Sequence, residues 1–155
     1  MKKTLITGVI ALLVIFAAGC SKGDPDKVAE RDRQKLLDYI AEHELDATEH
    51  ESGLFYVVER EGTGAHPTLT STLRIRYEGY FLDGKVFDVN PNALIQLRNT
   101  IRGWQIGMPL FRSGGKGMLL VPSNLGYGEY PPWGSSIPRN ACLIFEFELI
   151  DVQVQ

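Results

Sequence analysis

A chain of 155 residues, 44% hydrophobic and 23% charged, is long enough for one globular domain and too short for two. Its net charge of −3 comes with no basic cluster, which argues against a nucleic-acid binder. Sixteen glycines and eight prolines imply many turns, and no internal repeat is evident.

Lys2-Lys3 and the largely apolar run Leu5–Ala18 have the layout of a signal peptide, because a run of 14 residues is too short for an ordinary membrane span. Ala17-Ala18-Gly19 then leads into Cys20, which resembles the lipobox of bacterial lipoproteins even though Ala17 stands where Leu is usual. The resemblance implies removal of residues 1–19 and lipidation of Cys20. Loss of Lys2 and Lys3 takes the net charge from −3 to −5. Two or three acyl chains anchor stably where one would not. Ser21 resembles outer-membrane sorting, so the expected location is the cell envelope, on the outer membrane facing the periplasm. Ordinary secretion with a plain Cys20 thiol is the alternative. Cys142 lies in a strand-like run, and with Cys20 acylated no disulfide is expected.

Residues 20–24 form a polar tether. Asp24-Pro25 reads as an N-cap followed by proline at the first helical position. Val28, Leu36, Leu37 and Ile40 recur at helical spacing through Glu44, within an N-terminal helix and linker over 25–52. This weakly apolar helix has three possible uses: packing on the domain, contacting a partner, or holding the domain off a membrane. His43, His50 and their acidic neighbours lack metal-ligand spacing and read as solvated side chains.

The folded domain spans 53–155. Leu54–Val58 is a short strand. Thr70–Leu82 alternates, with Leu73, Ile75, Tyr77, Gly79 and Phe81 on one face and Arg74, Arg76 and Glu78 on the other. Asp83-Gly84 signals a hairpin, with Lys85–Asp88 as the return strand. Ile101–Gly107 reads as a short helix, stopped by Pro109; Gly103 and Gly107 flank Trp104 and permit close approach of other backbone. Gly114–Gly117 lacks the Ser or Thr of a phosphate loop and precedes a strand, Met118–Val121. Ser123–Asn140 is a long Gly/Pro-rich loop carrying Tyr127, Tyr130 and Trp133. Ala141–Val152 closes the chain, Leu143, Phe145, Phe147 and Leu149 on a buried face and Glu146 and Glu148 on a wet one. A sheet half covered by one short helix is an α+β architecture, with room for a pocket between them. Taken singly, Tyr77, Trp104 and Phe145 read as core, Asp88 as a backbone cap and Tyr127 as packing.

Four motifs shift that reading. Tyr77-x-Gly79-x-x-x-Asp83-Gly84-x-x-Phe87-Asp88, Ile101-x-Gly103-Trp104-x-x-Gly107, Gly114–Pro122 with Leu125-Gly126-Tyr127-Gly128, and Ile137-Pro138-x-Asn140-Ala141-x-Leu143-x-Phe145-x-x-Glu148-Leu149 together resemble the FKBP-type peptidyl-prolyl cis-trans isomerases. The resemblance covers about residues 53–152. It implies an antiparallel half-barrel sheet wrapped around the short central helix. It also implies a proline pocket lined by Tyr77, Phe87, Trp104, Ile137 and Phe145, with Trp104 as its floor. The Ile101 N–H and the Tyr127 hydroxyl would hold substrate carbonyls, and Asp88 would sit at the rim near the twisting imide. Ile95 stands at a commonly aromatic position and Thr100 at a common Val. With Trp133 they complete the wall and rim, where substrate preference is set. Val89-Asn90-Pro91-Asn92 replaces the usual Ser-Ser after Phe-Asp. The implied partners are proline-containing polypeptide clients and macrolide inhibitors of the class. No cofactor, metal or nucleic acid is implied, and the short N-terminal helix points to a monomer. A non-catalytic proline-binding or chaperone module on the same fold is the alternative.

The chemistry is consistent with such a pocket. An X–Pro bond has near-balanced isomers that interconvert over roughly tens to hundreds of seconds, held back by about 18–20 kcal/mol of barrier from amide resonance. The twisted imide has a less polar carbonyl, so a dry aromatic cup favours it over the planar form. A thousandfold acceleration needs only about 4 kcal/mol.

Overall fold

The computed structural model describes residues 24–153; the signal peptide, Cys20 and residues 21–23 of the tether lie outside them. The Asp24 carboxylate accepts a hydrogen bond from the Asp26 N–H at 3.2 Å and opens helix α1 (Pro25–Glu42), with Pro25 in its first turn. The helix stops two residues before the expected Glu44, because Glu44 adopts a left-handed conformation, φ 52°, and the Leu45 N–H folds back onto the Ile40 carbonyl.

Seven further elements follow: β1 (Thr48–Glu49), β2 (Phe55–Arg60), β3 (Thr72–Tyr80), β4 (Val86–Gln96), α2 (Arg102–Gly107), β5 (Lys116–Val121) and β6 (Leu143–Gln153). The strands form one sheet in the order β1-β2-β5-β6-β3-β4, antiparallel throughout. Helix α2 lies against one face, and the expected α+β architecture is what the chain adopts.

That face is the main core. Leu73 and Ile75 of β3, Leu119 and Val121 of β5, and Leu143, Phe145, Phe147 and Leu149 of β6 bury together with Trp104 and Met108. Gly103 and Gly107 let α2 sit this close. A Cβ on Gly103 would come within 2.6 Å of Val121 Cγ1, and one on Gly107 within 2.6 Å of Leu119 Cδ2. The glycines thus admit neighbouring side chains, where the sequence suggested backbone.

The opposite face is not uniformly wet, as the last strand suggested. Leu36 and Tyr39 of α1 cover Phe55, Met118, Leu120, Cys142 and Ile144, so β5 is buried on both sides. Glu146 and Glu148 occupy the uncovered remainder, where Glu148 bridges Arg60 at 2.8 Å and Arg76 at 3.1 Å. Of the three uses open for α1, packing on the domain is the one observed.

The return strand is also far longer than Lys85–Asp88: β4 continues to Gln96. It absorbs Pro91 by bulging. Ile75 pairs with Ala93 but Tyr77 with Asn90, so β4 spends one residue more than β3 between those pairs. The Asn90 side chain takes the Asn92 N–H at 3.0 Å. β4 is an edge strand, the position in a sheet where proline is tolerated.

Candidate active site

The site is assembled from four elements around α2. Trp104, 4% exposed, projects from the middle of that helix. Two rings meet it edge-on: Tyr77 from β3, with centroids 5.1 Å apart at 87°, and Phe145 from β6, 5.3 Å apart at 83°. These T-shaped contacts set ring edges against π faces and hold the three aromatics as a rigid cup. Behind them Phe87 packs on Phe145 at 5.6 Å and on Phe81 at 4.9 Å. Gly79 makes room for it, since a Cβ there would stand 2.7 Å from the Phe87 ring.

Above the cup is an open cleft of about 370 Å³, walled by Tyr77, Trp104, Tyr127 and Phe145 and by Asp88, Ile95, Asn99, Thr100 and Ile101. That volume is near the lower end of the roughly 300–1,000 Å³ typical of small-ligand sites. The indole therefore faces an opening and is not sealed over.

The polar groups are few. The Tyr77 hydroxyl donates to the Asp88 carboxylate at 2.8 Å, fixing an exposed anion at the rim. Burial, then the hydrogen bond to Asp88, pushes the Tyr77 phenol well above its ordinary pKa. Burial and the Asp88 charge push that of Tyr127 up as well. Both therefore remain protonated donors through the physiological range. Ile101 is the N-cap residue of α2, and among the described residues no backbone carbonyl accepts from its N–H. Trp104 Nε1 is buried and, among the described residues, has no hydrogen-bond partner.

Eight of the residues singled out in the sequence thus line one cleft: Tyr77, Asp88, Ile95, Thr100, Ile101, Trp104, Tyr127 and Phe145. Phe87 and Ile137 are half-buried supports packed on the core, outside the cleft wall. Trp133 does not reach the wall. It is the corner residue of a Pro132–Ser135 turn, closed by the Ser135 N–H on the Pro132 carbonyl at 3.1 Å, with Gly134 at φ 78°. The turn holds the indole out in solvent, fully exposed at 102%. Asn99 was missed; only its place beside Thr100 hinted at it.

The profile of the FKBP-type peptidyl-prolyl cis-trans isomerase family matches residues 64–150, a span holding every residue of the cleft. The chain belongs to the FKBP family. Among FKBP relatives it is 36% identical over 139 residues to the FKBP-type peptidyl-prolyl cis-trans isomerase FkpA of Aeromonas hydrophila, covering 86% of this chain and 51% of that protein. It is 38% identical over 106 residues to the FKBP-type 22 kDa peptidyl-prolyl cis-trans isomerase of Escherichia coli K12, covering 66% of this chain and 51% of the relative. The chain spans about half the length of these curated FKBP relatives. Among solved structures, a peptidyl-prolyl cis-trans isomerase of Pseudomonas syringae pv. tomato superposes with a TM-score of 0.73 at 27% identity, covering 86% of this chain and 99% of that one. FkpA of Escherichia coli superposes with a TM-score of 0.71 at 29% identity, over 83% of this chain and 62% of the other. The six-stranded sheet around α2 is the FKBP half-barrel.

Proposed function

We propose that this FKBP protein catalyses cis-trans rotation about X–Pro bonds in exported polypeptides. The observation that carries the reading is the cup of Tyr77, Trp104 and Phe145 opening beneath Asp88 and Tyr127. A proline ring seated on the indole leaves water behind. Hydrogen bonds from Tyr127 and the Ile101 N–H hold the flanking carbonyls while the imide turns, and the reaction needs nothing more than differential binding of the twisted state. No bond is made or broken. The wall residues Ile95 and Thr100 set the preference for the residue before proline, and the same cup would take the macrolides that FKBP domains bind in general. Tethering by lipidated Cys20 is supported by the apolar leader and the Ala17-Ala18-Gly19-Cys20 run, its outer-membrane, periplasm-facing placement by Ser21, and a monomer by the short N-terminal helix.

Exchange spectroscopy on an Ala-Leu-Pro-Phe peptide tests the activity. Catalysed line-broadening is expected with the wild type, and a loss of at least tenfold when Tyr127→Phe is combined with Asp88→Leu. Binding without exchange enhancement would instead make the domain a proline-binding module. Metabolic labelling with palmitate tests the anchor: wild type is expected to incorporate label and Cys20→Ala none, and an unlabelled wild type would exclude lipidation.

A further inference from the structure

The long loop that carries Tyr127 is gripped at both of its stems by one residue of the N-terminal helix. Asp32, 1% exposed, accepts on Oδ2 from the Ser123 N–H at 3.1 Å and from the Ser123 hydroxyl. Its main-chain carbonyl receives the Cys142 thiol at 3.9 Å. Ser123 begins the ascending stem and Cys142 ends the descending one. The Ser123 carbonyl in turn accepts from Gly126 N–H at 3.1 Å and Gly128 N–H at 2.8 Å, one on each side of Tyr127. The Asn140 N–H closes the loop onto the Gly128 carbonyl at 2.7 Å. Oδ1 is held by Arg31 Nη2 at 3.2 Å.

A buried carboxylate is a poor device for stability alone, because an apolar residue of similar volume commonly does as well or better. Its strength is directional: charge-assisted hydrogen bonds fix where their donors stand. Here the fixed donor is Ser123, and Ser123 fixes the backbone on either side of a tyrosine in the cleft wall.

We propose that Asp32 is a positioning residue for catalysis, holding Tyr127 over the cleft through Ser123, so that α1 is a working part of the active site and not only a spacer before it. The catalytic half of this rests on the isomerase reading above; the mechanical half does not.

The test uses Asp32→Ala, Asp32→Asn and Ser123→Ala, with Leu36→Ala as a control that weakens the same helix while leaving the Asp32–Ser123 hydrogen bonds in place. Amide hydrogen exchange at Gly128 and Asn140 is expected to rise about tenfold in Asp32→Ala, the factor for one lost hydrogen bond, and the Tyr127 ring resonances to shift. In Leu36→Ala those probes should move no more than amides of the β3–β4 hairpin. In peptide exchange kcat should fall roughly tenfold in Asp32→Ala with KM little changed. Asp32→Asn, which keeps one acceptor oxygen, should recover part of the loss. If Asp32→Ala does not fold, Asp32→Asn and Ser123→Ala carry the same readouts. Unchanged Gly128 exchange and Tyr127 signals in the Asp32 and Ser123 variants overturn the proposal. A wild type that binds proline peptides without accelerating exchange overturns the isomerase reading and with it the catalytic half, while Gly128 protection still decides the mechanical half.

Discussion

Cys142 lies under α1 among Phe55, Met118 and Ile144, and burial, with the nearby Asp32 charge second, pushes its thiol from an ordinary 9.0 up to about 12. Above pH about 9 the unfolded chain therefore releases a proton that the folded chain keeps. The stability this thiol contributes is complete below its unfolded pKa and is lost as pH rises toward the folded one. Tyr77, Tyr80 and Tyr127 act with the same sign from a higher starting point, since each is raised from 10.0; Tyr80 owes its shift first to burial and then to its hydrogen bond with Glu146. Urea-unfolding free energy is expected to hold level to about pH 9 and fall beyond it. In Cys142→Ala the fall should begin nearer pH 10, where the tyrosines take over. A fall starting at the same pH in both proteins would contradict this account. The native thiol should also stay inert to disulfide reagents at pH 8, because it is the thiolate that reacts.

Among the elements, β5 carries the tightest constraint. Gly117 sits where a Cβ would stand 2.2 Å from the Val57 carbonyl oxygen and 2.6 Å from the Phe111 ring. Backbone of β2 blocks one side and a fully buried ring the other, so neither can yield cheaply. Gly117→Ala is expected to lose about 1–3 kcal/mol or more, read as a lower urea midpoint, with the β2–β5 amides losing protection first. The same strand shows what the sequence could not reveal. Alternation in β3 and β6, and a Trp between two glycines, placed Tyr77, Trp104 and Phe145 inside the fold, but it took the four FKBP-like motifs together to mark them as a cup, because side-chain period and residue type cannot tell a pocket wall from core. The partner of β5's outer face was hidden, since α1 is only weakly apolar and its most consequential buried residue, Asp32, is a carboxylate. Proline and asparagine at 90–92 looked like a strand's end, where a bulge carries β4 through them. The resemblance put Trp133 at the rim, but the Pro132–Ser135 turn, with Gly134 at φ 78°, aims it outward. The motifs in register located the chemistry, while backbone geometry decided which aromatics share it.

At the scale of the molecule, the outer strand β4 displays Val86, Val89 and Leu94 to solvent. An exposed apolar edge is a template on which another extended chain can lay down a strand. The clients proposed for this protein are such chains, caught before they fold. The Pro91 bulge interrupts the row of N–H groups midway along β4, so that an incoming segment finds no continuous ladder. Replacing Pro91 with Val should leave the cup's turnover intact and yet raise light scattering during co-incubation with a reduced, unfolded polypeptide; equal scattering by the two proteins would refute this. On the proposed activity, the bulge in the outermost strand would confine a client's stay to bond rotation and keep it from becoming fused to the sheet.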